Sequence, residues 1–279
     1  MNHPELYHRA NCAQRRDVEL IIKKYLSKIQ WHHNGAVSLI DMGTGSGDVL
    51  MDFVYPHMGK SLQRLVCSDI SPKMLSYARK HVVNLNMAEF RILDMGTEQP
   101  LPNDLAGQFD YVTSFFAFMY VKSQRQALKN IHDLLKPAGG KCLILSLGKH
   151  PLFSAYIALS KMQKWSKYMT DVYSFVAPQH YCLDPRDDII NFMIEIGFSD
   201  YHVEIEHKVF DFESVETFKN VIVSINPFLD RMPAVMHEDF MQDFLTAAFT
   251  DMNLKMKPMD HTGPLSISYF NLVIFGSRS

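Results

Sequence analysis

The feature that most constrains the fold is a short loop, Asp41-Met42-Gly43-Thr44-Gly45-Ser46-Gly47. It closes an apolar run, Val37 to Met42, that reads as a buried strand, and it opens Asp48 to Val54, which reads as a helix. Glycines at alternate positions let a backbone turn tightly and lie against a ligand without Cβ clashes. The spacing is not the G-x-G-x-x-G of a dinucleotide loop, because the third glycine comes one residue early, and no Gly-Lys-Ser/Thr follows as in a phosphate-binding loop. An acid beside the loop, Asp41, would repel a pyrophosphate and suits a cationic ligand.

Strand and helix signals alternate on either side of this loop. Gln63 to Asp69, Glu89 to Asp94, Phe109 to Phe116 and Lys141 to Leu147 read as strands. A helix is predicted from Ser71 as N-cap and Pro72 as first residue to about His81, and another over Gln124 to Leu135. This alternation predicts an α/β fold, a parallel sheet with helices on both faces, whose ligands lie at the carboxyl ends of the strands. Two further acids stand at such ends. Asp69, 22 residues after Gly47, is placed to accept both hydroxyls of a ribose, and Asp94 lies where an adenine edge would fall. N-capping would account for one such acid, but successive acids beside a glycine loop favour a nucleoside site.

From Leu152 the alternation breaks. Leu152 to Phe175 is predicted helical and aromatic-rich, Asp187 to Glu195 helical and ended by Gly197, and Tyr201 to Phe210 a strand. Glu213 to Ile225 reads as a helix stopped by Asn226-Pro227, and Ala234 to Met252 as a long amphipathic helix. Ser266 to Phe275 is the last strand. The expected organisation is one domain over 1–279, with a cofactor half over 1–150 and a helical cap from 151–183 and 213–260.

Charge excludes one large class of partner. Lys plus Arg number 28 against 30 Asp plus Glu, so the chain lacks the basic footprint of a nucleic-acid binder. Met1 to Asp17 carries five charges and no apolar signal-peptide core, and the longest uncharged apolar run, Val112 to Val121, is too short for a membrane span. The cysteines Cys12, Cys67, Cys142 and Cys182 show no C-x-x-C spacing, which fits reduced thiols and a cytoplasmic location. The histidines form no ligand cluster, and His32-His33 reads as an exposed loop, so no metal is expected. The 17 Met exceed the 13 Gly, and with 19 Phe they suit either an adaptable core or a pocket for an apolar ligand.

Asp41 with Gly43, Gly45 and Gly47, followed by Asp69 and Asp94, resembles the class I S-adenosylmethionine-dependent methyltransferases. The resemblance implies a Rossmann-like sheet, mostly parallel with its last strand antiparallel. It further implies that the glycines approach the methionyl part, that Ile70 and Met95 sandwich the adenine, and that Ser114 borders the same site. Flanking residues narrow it: Leu6-Tyr7, Asn11, Gln14 and Arg16-Asp17 before the core, Ser114-Phe115-Phe116 after it, then Lys164-Trp165 and Ser224-Ile225-Asn226-Pro227-Phe228. Together these resemble the insect juvenile hormone acid methyltransferases over the whole chain. What this implies is methyl transfer to the carboxylate of a lipophilic sesquiterpenoid acid, with Gln14 and the position of Tyr120 holding that carboxylate. The family usually carries His-Trp where this chain has Met119-Tyr120, which bears on substrate range and rate. A methyltransferase for another small molecule and a non-catalytic lipid-binding paralogue are the alternatives, and a homodimer is compatible with the chain.

The acceptor chemistry asks little of the protein. A carboxylic acid is ionised at neutral pH, so no general base is needed. Gln14 and Tyr120 offer neutral donors, and Arg16 is a candidate for the methionyl carboxylate, or else part of a solvated helix face with Asp17. The tail needs an apolar tunnel. Candidates are Phe115, Phe116, Phe118, Met119, Trp165, Met169, Val172, Tyr173, Phe175, Ile225, Phe240 and Phe244, each of which ordinary core packing would explain equally well.

Overall fold

The computed structural model describes residues 4–31, 35–82, 85–137, 139–255 and 258–279; the His32-His33 pair lies outside them. Seven strands form one sheet: β1 (Val37–Met42), β2 (Leu62–Asp69), β3 (Ala88–Ile92), β4 (Tyr111–Phe115), β5 (Gly140–Lys149), β6 (Phe198–Phe212) and β7 (Leu265–Arg278). Their order is β3-β2-β1-β4-β5-β7-β6. The first five strands run parallel, and β7 inserts antiparallel between β5 and β6. The chain moves outward from β1 to β3 and then returns to place β4 on the other side of β1. That reversal opens a crevice at the carboxyl ends of β1 and β4, where such folds bind ligands.

Each face of the sheet has its own apolar layer, because alternate strand residues point oppositely. Leu39, Leu65, Leu143 and Leu145 pack with Val18, Ile21, Ile22 and Tyr25 of α2 (Cys12–Ile29). Ile40, Val66, Val112 and Ile144 pack with α5 (Gln124–Leu134) and α7 (Pro185–Ile196) on the other face. The elements expected to form a cap include α6 (Pro151–Ser160), α8 (Val215–Ile225) and α9 (His237–Asp251), whose buried residues join the α2 layer. All four cysteines are free, with Cys67 and Cys142 buried in β2 and β5.

The helix starts follow local chemistry. Ser71 accepts the Met74 N–H and Pro72 opens α4 (Pro72–His81), as expected. Two expectations need correction. Asp48 to Val54 is not plain α-helix: Leu50–Val54 forms a π turn, with the Tyr55 amide reaching Leu50 O, before α3 (Tyr55–Met58) resumes. Pro56 has no N–H to continue the regular ladder there. Leu152 to Phe175 is not one helix either. The Ser160 hydroxyl takes the Ile157 carbonyl where α6 ends, and short turns at Ser166–Tyr168 and Val172–Ser174 follow. The apolar spacing persists through them, with Trp165, Met169 and Val172 still buried.

A buried carboxylate joins α2 to the sheet. Asp17 is 0% exposed, and its Oδ2 accepts from the Tyr269 hydroxyl and Asn271 Nδ2, each at 2.7 Å. Its Oδ1 accepts from Arg16 Nε at 3.0 Å and Nη2 at 2.8 Å. Replacing it strands a guanidinium, a phenol and an amide. Asp17→Ala is expected to cost about 3–5 kcal/mol, measured by urea unfolding, whereas an exposed Glu19→Ala control costs well under ~1 kcal/mol.

Candidate active site

The glycine loop hangs from the end of β2. Gly43 and Thr44 N–H both donate to Ser68 O, at 2.8 and 2.9 Å. Gly43, Gly45 and Gly47 have φ of 78°, 59° and 84°, in the left-handed region that favours glycine. A Cβ on Gly43 would lie 2.2 Å from Ala117 Cβ, and one on Gly47 3.0 Å from Val82 Cγ2. On Gly45 the nearest atom would be Tyr7 Cε1, at 3.8 Å, so Gly45 alone keeps open space beside the loop.

The acids stand at the carboxyl ends of β1, β2 and β3. Asp41 is buried, accepts the Thr113 hydroxyl at 2.6 Å, and has no ion pair among the described residues. Burial pushes its pKa up to about 6, against the downward pull of the Thr113 and Thr44 hydrogen bonds. Asp69 accepts Gly45 N–H at 3.0 Å on Oδ2 and Ser71 N–H at 2.8 Å on Oδ1. Burial raises it as well, although these N–H groups oppose the shift. Each of its oxygens retains a second acceptor site. Asp94 is exposed beyond β3 and accepts Gly96 N–H at 2.8 Å. Met95 is buried, with its carbonyl held by Asn130 Nδ2 at 2.9 Å, and Ile70 is 67% exposed at the end of β2. A buried carboxylate without a cation, a carboxylate with spare acceptor sites and an uncovered isoleucine together fit S-adenosylmethionine: ammonium, ribose and adenine in turn.

The N-terminal segment ties to the residues just after the loop through Arg15, while Arg16, the arginine expected at the site, bonds elsewhere. Arg15 Nη1 donates to Asp48 at 2.6 Å and its Nη2 to Asp52 at 2.6 Å, while Asn11 Nδ2 donates to Asp48 at 2.9 Å. Burial alone would raise Asp48; hydrogen bonds from Ser46, Asn11 and Arg15 outweigh it and hold the carboxyl below its ordinary value. Arg16 does not turn to the loop. Besides Asp17, it donates to Val209 O at 2.8 Å and Tyr269 Oη at 2.9 Å, and it lies 4.7 Å over the Phe210 ring. Ser114 is fully buried on the face of β4 away from Thr113, and its hydroxyl has no partner.

A second cavity, which shares Tyr7 with the surroundings of Gly45, has about 670 Å³ of space free of atoms, its mouth included. Gln14 and Tyr120 both line it, with Tyr7, Phe116, Met119 and Ile225. Gln14 Oε1 is buried without a hydrogen bond. Burial pushes the Tyr120 phenol up to about 12, so it stays a neutral donor. α8 lies in the expected cap and Ile225 was an expected tail residue, but the rest of the apolar wall comes from residues not singled out: Phe210 and Phe212 at the end of β6, and Phe218, Val221 and Ile222 on α8. His150, Leu152, Leu147 and Tyr269 complete it at the end of the sheet.

Most of the expected tail residues lie elsewhere. Trp165 is buried with its indole N–H bonded to Asp243 Oδ2 at 2.8 Å and its ring edge-on to Phe240. Phe244, Met169 and Val172 pack in the same layer, Phe115 is buried at the end of β4, and Phe118 packs with the α5 face. Tyr173 is 67% exposed. None of these lines the cavity: the buried ones are spent on core packing, and apolar character along the chain does not say which buried face is hollow. The signal for β6 lay in Phe210-x-Phe212, an alternating strand end, and for α8 in its apolar stripe.

A sheet of this order with this loop and these acids defines a class I S-adenosylmethionine-dependent methyltransferase. Residues 40–144 match the protein family described as Methyltransferase domain. Over 255 residues, 91% of this chain and 85% of the relative, the sequence is 43% identical to juvenile hormone acid O-methyltransferase of Drosophila melanogaster. It is 34% identical over 245 residues, covering 88% of this chain and 85% of the relative, to the enzyme of that name from Bombyx mori. The chain belongs to the juvenile hormone acid O-methyltransferase family. The fold also matches a crystal structure of a methyltransferase from Bacillus halodurans, with TM-score 0.58 and 16% identity over 91% of this chain and 99% of that one. Phosphoethanolamine N-methyltransferase 2 of Haemonchus contortus, solved with S-adenosyl-L-methionine, matches with TM-score 0.52 and 16% identity over 93% of this chain and 52% of that one.

The raised pKa of Asp41 sets a pH dependence. Its folded value lies above the unfolded one, so the protein without ligand loses stability as pH rises through about 6, and a cationic ligand offsets that loss. S-adenosylmethionine affinity, measured by calorimetry, is expected to fall up to about tenfold per pH unit below the Asp41 pKa, with proton release on binding. Asp41→Asn should flatten that slope. Asp69→Ala should weaken cofactor binding at every pH, and unchanged affinity would remove Asp69 from the ribose site.

Proposed function

We propose that this enzyme methylates the carboxylate of a sesquiterpenoid acid, juvenile hormone acid or farnesoic acid, to give its methyl ester. The observation that carries this reading is the second cavity: neutral donors on Gln14 and Tyr120, in an aromatic and aliphatic wall that meets the glycine loop through Tyr7. The names of the relatives from Drosophila melanogaster and Bombyx mori point the same way.

When bound, S-adenosylmethionine supplies a methyl on cationic sulfur, open to in-line attack by the carboxylate. Asp69 would hold the ribose, Asp41 the ammonium, and Ile70 and Met95 the adenine. The protein's remaining work is orientation and exclusion of water. The Gln14 amide and the Tyr120 hydroxyl hold the acid without an ion pair, so the attacking oxygen keeps its nucleophilicity. Burying ten CH₂ equivalents of the tail against Phe212, Phe218, Val221 and Ile222 could supply up to ~8 kcal/mol before ordering costs. Tyr7 lines the cavity and also lies nearest to Gly45, so its ring stands where the two ligands meet.

A methyl-transfer assay across farnesoic acid, juvenile hormone acids and simple fatty acids tests the reading. Ester formation with the isoprenoid acids is expected; no turnover with any lipophilic acid would overturn it. Gln14→Ala should lower turnover roughly 10–100-fold, the worth of one hydrogen bond to a charged group, with cofactor affinity unchanged. Tyr120→Trp, run alongside, should change the relative rates on acids of different shape, since the two donors differ in reach.

A further inference from the structure

Two polar groups on the cavity wall are already spent. The Asp17 oxygens are taken by Arg16, Tyr269 and Asn271, and the Tyr269 hydroxyl lies between Arg16 and Asp17. Burial raises the Tyr7 phenol, so its hydroxyl stays protonated. Among the described residues, no lysine or arginine lines the cavity. An ionised carboxylate entering it has no cation to meet, and a buried carboxylate without one calls for several N–H or O–H donors.

His150 supplies the missing group. It is the N-cap of α6, and its Nδ1 accepts the Leu152 N–H at 3.0 Å. A nitrogen that accepts an N–H bears no proton, so the neutral ring carries its hydrogen on Nε2. Nε2 makes no hydrogen bond among the described residues, and the ring, 5.5 Å from that of Tyr269, lines the cavity. Burial, with His180 adding in the same direction, lowers the imidazole pKa to about 3. The ring therefore donates as a neutral group at working pH, in kind with Gln14 and Tyr120.

We propose that His150 Nε2–H is a third donor to the acceptor's carboxylate, holding the oxygen that does not attack. This rests on the carboxylic-acid reading above. A carboxylate offers about four acceptor sites, so two donors leave room for a third while one lone pair faces the methyl.

The test is binding to the protein saturated with S-adenosylhomocysteine, comparing farnesoic acid with its methyl ester by calorimetry. His150→Phe keeps a ring against Tyr269 and removes the donor. It should weaken acid binding roughly 10–100-fold, while the uncharged ester loses little. His150→Asn retains both an N–H donor and a capping oxygen and should recover part of the loss. In nitrogen-15 spectra of the unaltered protein, the His150 Nε2 proton should move downfield on adding acid but not ester. Equal losses for acid and ester, no loss for the acid, or an unmoved proton signal would overturn the assignment. If the unaltered protein binds no lipophilic acid, the acceptor reading falls and this assignment with it.

Discussion

The Asp17 carboxylate decides where the N-terminal helix can lie. It is buried, so it must be bonded, and the available donors sit on β7 and on the adjoining Arg16. Gln14 is three residues earlier, one turn along the same side of α2, so the bond to β7 turns Gln14 into the cavity. Asn11, one turn further toward the N-terminus, and Arg15, the residue after Gln14, reach Asp48 beyond the glycine loop. A single helix is thus pinned to the acceptor side through one carboxylate and to the cofactor side through another. The two ligand sites inherit their separation from that helix.

The charges divide along the same line. On the cofactor side, Asp41 and Asp69 are buried acids with raised pKa values, costly when empty and matched to a ligand of positive charge and hydroxyl groups. On the acceptor side every cation is bonded elsewhere, and the donors that remain are neutral. An Arg facing the cavity would bind the acid more strongly but would stabilise the ground state as much as the transition state. Arg16, a few ångströms behind the wall, is held from that role by Asp17 and by the Phe210 ring.

How much of this could be read from sequence depended on distance along the chain. The glycine loop, the strand-end acids and the alternation up to β5 are local patterns, and the sheet forms as they require. Arg15 and Arg16 are neighbours on one helix, and nothing local says which faces the loop; partners at Asp48, Val209 and Tyr269 decide it. The same holds for the cavity wall. Phe240 and Phe244 carry a strong helical stripe, and α9 uses it to pack on Tyr156 of α6 and on Trp165 beyond it. Phe212 and Phe218 carry a weaker local signal, and they line a hollow only because β6 and α8 meet β7 and α2 there. His150 was invisible for another reason: its tautomer follows from a cap geometry that no spacing encodes.

The three glycines of the loop are alike in sequence but not in what constrains them. All three need a left-handed backbone, and at Gly43 and Gly47 a Cβ would also press on Ala117 and Val82, parts of the protein itself. At Gly45 the backbone is the protein's whole objection, and the space a side chain would take is left to whatever enters the crevice. A family that lost its ligand would thus lose one of two reasons to keep the middle glycine and none of the reasons to keep the outer pair.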